Sequence, residues 1–86
     1  MKQSLFTIIS NEKIADNTFT MILNGDTSAV TASGQFVNIK IDGLFLRRPI
    51  SICDYDNESI TLIYKVVGQG TKKLSLMKNG DILNIH

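Results

Sequence analysis

Apolar residues recur at every second position along most of this chain. Phe6 and Ile8 flank Thr7. Phe19, Met21 and Leu23 flank Thr20 and Ile22, and Val37, Ile39 and Ile41 flank Asn38 and Lys40. Ile60, Leu62, Tyr64 and Val66 alternate with Thr61, Ile63 and Lys65, and Leu83 and Ile85 enclose Asn84. An extended chain points successive side chains to opposite faces, so short, β-branched runs of this kind read as half-buried strands. Turn-forming residues punctuate them at Asn24-Gly25-Asp26, Ser33-Gly34, Asp42-Gly43, Asp54-Tyr55-Asp56-Asn57 and Asn79-Gly80-Asp81. The pattern predicts six strands, over residues 3–12, 17–24, 35–42, 47–54, 59–67 and 81–85.

One segment breaks the alternation. In Thr71-Lys72-Lys73-Leu74-Ser75-Leu76-Met77, Leu74 and Met77 are spaced for one helix face, and Thr71 is placed to serve as an N-cap. This predicts a helix of about two turns over residues 71–77. A parallel sheet needs crossover connections throughout, which one short helix does not supply. An antiparallel barrel closes its own edges and buries one face of every strand. The expected fold is therefore all-β: a six-stranded antiparallel barrel with one short helix.

Composition narrows the function classes. The 86 residues make one domain, and 43% hydrophobic content is enough for a single core. Net charge is +1, which gives no basis for a nucleic-acid or membrane surface. No apolar run approaches the roughly 20 residues of a membrane span, and the N-terminal residues lack the apolar core and cleavage site of a signal peptide. Cys53 is the single cysteine, which fits a reducing, cytoplasmic setting, and it reads as a small buried apolar filler. One Cys and one His cannot furnish a metal ligand set. Asn57-Glu58-Ser59 matches a glycosylation acceptor and, without a secretion signal, reads as a turn.

Two stretches carry chemistry. The first is Leu46-Arg47-Arg48-Pro49-Ile50-Ser51-Ile52. An arginine fork is always charged and matches phosphate geometry, and Pro49 donates no ladder hydrogen bond, so it marks an edge or rim. Alternation sets Arg48 and Ser51 on opposite faces, so the strand must twist or bulge near Pro49 for both to reach one ligand. Taken alone, these residues fit a solvated arginine and a surface serine equally well. The second stretch is Gly68-Gln69-Gly70-Thr71, which follows Ile63-Tyr64-Lys65-Val66-Val67. Glycines permit close backbone approach, and amides at a helix start favour an anion. The stretch opens like a G-x-G-x-x-G fingerprint, but Lys73 replaces the last glycine and no βαβ unit surrounds it; alone, it reads as an ordinary strand-to-helix turn. Tyr64 could flank an aromatic ring or belong to the core. Lys65 could balance charge on a reduced ring, while Lys72 and Lys73 read as solvated. A fixed cation, a hydroxyl and a glycine-threonine turn together suit a phosphate-bearing aromatic cofactor.

The order and spacing of these stretches, with Gly34-Gln35-Phe36-Val37 before a strand and Leu74-Ser75 and Asn79-Gly80-Asp81 after the helix, extend over essentially the whole chain. They resemble the FAD-binding domain of the ferredoxin-NADP reductase superfamily, in the form found in electron-transfer subunits of class 1B dihydroorotate dehydrogenases. Ile50 stands where the general R-x-Y-S motif has tyrosine, as in that branch. The resemblance implies a Greek-key barrel over residues 1–86. It implies that Arg48 binds the FAD pyrophosphate, that Pro49 and Ile50 shape the wall beside the ribityl and flavin, and that Ser51 hydrogen-bonds near flavin N5. It further implies that Ile63, Tyr64 and Lys65 line the isoalloxazine and that Gly70 and Thr71 meet the pyrophosphate. Such subunits continue into a nucleotide-binding domain and a [2Fe–2S] domain, whose cluster needs four cysteines. The expectation is therefore an N-terminal domain alone, inactive by itself. In its parent, an FMN-binding catalytic subunit would oxidise dihydroorotate and electrons would pass through FAD and [2Fe–2S] to NAD+ in pyrimidine biosynthesis. Two alternatives stand beside this. One is a flavin domain of another reductase, such as a sulfide dehydrogenase or hydrogenase subunit. The other is a non-catalytic small barrel binding RNA or protein, which the net charge of +1 and 7% aromatic content do not favour.

Overall fold

Each alternating run becomes a strand because pairing satisfies its backbone while one face buries apolar side chains. The structure, a computed structural model, describes residues 4–41, 44–45 and 49–85. In chain order its elements are β1 (Ser4–Ala15), β2 (Thr18–Asn24), β3 (Phe36–Val37), β4 (Ile39–Ile41), β5 (Leu44–Phe45), β6 (Ile50–Tyr55), β7 (Ser59–Lys65), α1 (Gln69–Ser75) and β8 (Ile82–Ile85). The strands pair in the order β3-β6-β7-β2-β1-β8-β4-β5, and every pair is antiparallel.

The two ends of that order meet. β3 and β4 are one extended run separated only by Asn38; β3 pairs with β6, and β4 pairs with β8. The run thus bridges both sides of the sheet and makes it a nearly closed barrel. The hairpins β1–β2 and β6–β7 lie side by side through β2 and β7, while the intervening chain crosses to the far side, a Greek-key path. The expected antiparallel barrel with one short helix is the fold observed, with more strands than the six expected, because the run over 35–42 divides into β3 and β4. β5 is an additional short strand, paired with β4.

The inward face forms one core. Phe6, Ile8, Met21, Leu23, Val37, Ile39, Ile52, Ile60, Leu62, Leu83 and Ile85 are all buried. Each side chain of this kind contributes roughly 1.5–3 kcal/mol relative to exposure. The described residues contain no helix long and apolar enough to cross a membrane, and no group of three or more His, Cys, Asp or Glu placed as metal ligands.

Bulges adjust the pleat. The β1–β2 register shifts between Ile8 and Ser10, and the β6–β7 register shifts between Ile52 and Asp54. At the second bulge Cys53 is exposed, not the buried filler expected from its residue type. It is out of phase with the buried Ile50 and Ile52, and phase decides which face a strand residue takes.

The two barrel ends close differently. At one, Gly25 donates its N–H to the Glu58 carbonyl at 2.9 Å and lies against the buried Phe6 ring. The buried Thr27 hydroxyl donates to the Asp56 carbonyl at 2.8 Å. The Asp56 carboxylate accepts the N–H groups of Glu58 and Ser59, both at 2.8 Å, and the Ser59 hydroxyl at 3.1 Å, which hold its carboxyl below the usual aspartate value. At the other end sits α1, with Leu74 buried in the barrel and Met77 packed beside it.

Helix α1 starts two residues before the expected 71–77, and its N-cap is Gly68, not Thr71. Thr71 lies inside the first turn, where its hydroxyl accepts the Val67 N–H at 2.8 Å and donates to the Gly68 carbonyl at 3.2 Å. It ties the helix to the preceding strand exit, which pulls the helix start upstream.

Candidate functional site

A groove of about 300 Å³ runs along the outside of β3, β6 and β7 to the start of α1. Strand phase builds it. On β7, Ile60, Leu62 and Tyr64 point into the barrel, so Ile63 and Lys65 point out and are exposed. On β6, Ile50 and Ile52 are buried and Ser51 is half-buried on the other face. On β3, Val37 is buried and Phe36, paired directly with Ser51, is exposed. Pro49 borders the groove before β6, and Val67 and Thr71 border it where the chain enters α1.

Seven of the expected cofactor residues therefore share one surface: Pro49, Ile50, Ser51, Ile63, Tyr64, Lys65 and Thr71 all line the groove. Gly70 is Thr71's neighbour in α1 and is not among the lining residues. Arg48, expected at the pyrophosphate, and its neighbour Arg47 lie outside the described residues. Phe36 and Val67 are additions. Strand phase was the signal that could have found Phe36, because an aromatic in step with Asn38 and Lys40 is forced outward.

Tyr64 takes the core side of the two roles open to it. It is 5% exposed, and its ring stacks on Phe19 with centroids 5.7 Å apart and planes 17° apart. Its hydroxyl donates to Asn11 Oδ1 at 2.8 Å. Burial pushes the phenol up to about 12, against the opposing pull of the Asn11 bond. With one ring face covered by Phe19, Tyr64 serves the groove as a rigid strand position more than as an open aromatic wall.

The groove thus offers exposed apolar carbon from Phe36, Ile63 and Val67, a hydroxyl at Ser51 and a cation at Lys65. This suits a flat, partly polar ring system with negative charge nearby.

No family model matches the chain. It does match curated proteins. It is 37% identical over 91 residues to the dihydroorotate dehydrogenase B (NAD(+)) electron transfer subunit of Bacillus mycoides, covering 99% of this chain and 35% of that protein. The corresponding subunit of Enterococcus faecalis is 42% identical over 89 residues, covering 98% of this chain and 34% of that protein. That of Listeria innocua is 39% identical over 89 residues, covering 99% and 35%. The chain therefore spans about a third of the length of these relatives. Among solved structures, a chain in the NADH-dependent reduced ferredoxin-NADP oxidoreductase, studied for flavin-based electron bifurcation, superposes with a TM-score of 0.83 at 29% identity. The match covers 94% of this chain and 31% of that one. The chain is homologous to the N-terminal third of the electron transfer subunits of dihydroorotate dehydrogenase B and shares the fold of the matching part of the ferredoxin-NADP oxidoreductase chain.

Proposed function

We propose that the groove is an FAD site, and that the domain carries electrons between a catalytic dihydroorotate dehydrogenase subunit and NAD+. The observation that supports this best is the convergence of Pro49, Ile50, Ser51, Ile63, Lys65 and Thr71, drawn from separate strands and α1, on one surface. Their chemistry fits the cofactor. Phe36, Ile63 and Val67 supply apolar area for the isoalloxazine, and Ser51 supplies a hydrogen-bonding group at its edge. Lys65 supplies positive charge for a ring that gains electrons. The Thr71 hydroxyl is already engaged with Val67 and Gly68, so its part in holding a phosphate falls to the backbone amides of Gly70 and Thr71, which precede the first helical bond at Lys72. Arg48 supplies the matching cation. When bound, FAD accepts and releases the electrons; the chain binds, orients and shields the ring. In a longer parent, an FMN-binding catalytic subunit would be the donor and a [2Fe–2S] centre on further sequence would carry electrons onward to NAD+ in the cytoplasm.

Fluorescence titration of FAD into the purified chain tests the reading, with circular dichroism as the folding control. A charge-assisted hydrogen bond contributes roughly 1.5–3 kcal/mol, so Arg48→Ala should weaken binding by about tenfold to a hundredfold. Ser51→Ala should change binding less and the flavin's redox behaviour more. Arg47→Ala is the control, a neighbouring arginine to which the reading assigns no contact with the cofactor. Equal losses in Arg47→Ala and Arg48→Ala would refute the assigned roles, and a wild-type chain that leaves FAD fluorescence unchanged at saturating concentrations would refute the site.

A further inference from the structure

The bulge at Ile9 places a polar side chain where the barrel should be apolar. Before it, Phe6 and Ile8 point inward; unbroken alternation would turn Ser10 and Glu12 inward next and leave Asn11 outside. The register shift between Ile8 and Ser10 reverses the phase, so Asn11 pairs with the fully buried Met21 and takes the inward face. Every bond its side chain makes leads toward the groove. Nδ2 donates to the Leu74 carbonyl at 2.9 Å and to the Met77 carbonyl at 3.0 Å, and Oδ1 accepts the Tyr64 hydroxyl at 2.8 Å.

Two of those partners belong to the elements that border the groove where β7 gives way to α1, and the third, Met77, follows the α1 C-cap. Tyr64 is on β7 between Ile63 and Lys65. Leu74 is on α1, a seven-residue helix that also carries Thr71 and has Leu74 as its only buried residue. A helix this short has little stability of its own and depends on tertiary anchors. The last turn of a helix leaves carbonyls without helical partners, and Asn11 reaches one of them, Leu74, together with the Met77 carbonyl just beyond.

We infer that Asn11 is a positioning residue: from behind the sheet it locks α1 against β7 and so fixes the separation between Thr71 and the Ile63–Lys65 wall. It touches no ligand. The inference rests on the flavin reading for its consequence and on the hydrogen bonds for its cause, and the two can be tested apart.

Three variants and two measurements do this. Amide hydrogen exchange reads the hold on α1, and FAD titration reads the groove. Asn11→Ala removes all three bonds. Asn11→Asp keeps the acceptor for Tyr64 but turns a carboxylate toward the two carbonyls. Tyr64→Phe removes only the phenol bond. Exchange at the amides of Lys72 in α1 and of Leu76 at its C-cap, relative to β2 and β7 amides, should quicken about tenfold in both Asn11 variants, in line with two lost hydrogen bonds, and stay within about twofold in Tyr64→Phe. FAD affinity should fall about tenfold in the Asn11 variants. Uniformly faster exchange across the barrel would overturn the inference, because Asn11 would then be an ordinary stabilising residue. Selective loosening of α1 with unchanged FAD affinity would overturn its link to the groove. A wild-type chain that binds no FAD refutes the flavin reading and that link together, while the exchange pattern still decides whether Asn11 holds α1. If Asn11→Ala does not fold, Asn11→Asp carries both measurements.

Discussion

The two ends of the barrel solve the same closure problem with opposite materials. At the Gly25 end, backbone and small residues lie directly on Phe6, and the polar groups are turn carboxylates and hydroxyls facing solvent or backbone. At the α1 end, an inward asparagine, a buried phenol and a short helix fill the opening, and the groove lies alongside. A network of polar groups costs more to build than apolar packing and is easier to leave incomplete. Both ends hold such groups, Thr27 and Asp56 at one and Asn11 and Tyr64 at the other, but only those of the α1 end lie beside the groove.

The largest effect expected from this contrast is at Gly25. A β-carbon there would lie 2.6 Å from Phe6 Cδ2, and that ring is 1% exposed and cannot swing away. Gly25→Ala should cost about 1–3 kcal/mol, lowering the melting temperature by about 4–8 °C per kcal/mol, while FAD affinity at the far end stays unchanged. Thermal unfolding beside FAD titration checks both halves. A variant that loses FAD affinity would show that the ends are coupled and break the comparison.

Next in size is an alkaline effect at the other end. The Tyr64 phenol is raised in the folded state to about 12, above its ordinary 10.0, so folding favours its protonated form. The resulting stability is fully present below the unfolded value and is lost as pH rises through the folded one, amounting to on the order of 2 kcal/mol. Denaturant unfolding from pH 9 to 12 should show this loss in wild type and less of it in Tyr64→Phe. Tyrosinate absorbance lost in that variant should belong to a step near 12. A step near 10 would mean that the phenol is open to water.

The smallest effect is at Phe36, 64% exposed on the groove rim. Phe36→Ala should leave stability within about 0.5 kcal/mol, as exposed positions do, and weaken FAD by about threefold to tenfold through lost ring contact. Unchanged affinity would place the flavin ring elsewhere.

The strands were legible because each needs only a local period of two, and that period survives in Met21–Leu23, Val37–Ile39 and Ile60–Tyr64. Much of the groove was legible for a related reason: Ser51, Ile63 and Lys65 face outward because the alternating Ile50, Ile52, Leu62 and Tyr64 face the core. What escaped depends on phase. Cys53 is apolar by residue type, but its position relative to Ile50 and Ile52 sends it outward. Phe36 is in step with Lys40, and that phase sends it to the groove. Asn11 was out of reach, because the bulge at Ile9 arises from the pairing of β1 with β2 and β8 and leaves no local mark in Ile8-Ile9-Ser10. The start of α1 was misplaced because the Thr71 hydroxyl bonds back to Val67, a choice that residue preference alone does not reveal.

The shared run of β3 and β4 also sets an order of assembly. β3 meets β6 after a short stretch of chain, but β4 and β1 gain their common neighbour only when β8 arrives, through Ile39 with Ile85 and Ser4 with Ile85. Until then, the strands flanking that gap present open edges able to recruit another chain. During synthesis the barrel must therefore wait, unsealed, for residues 82–85 to leave the ribosome, and contacts so distant in sequence close slowly. The interval before β8 docks is when the chain is most exposed to aggregation.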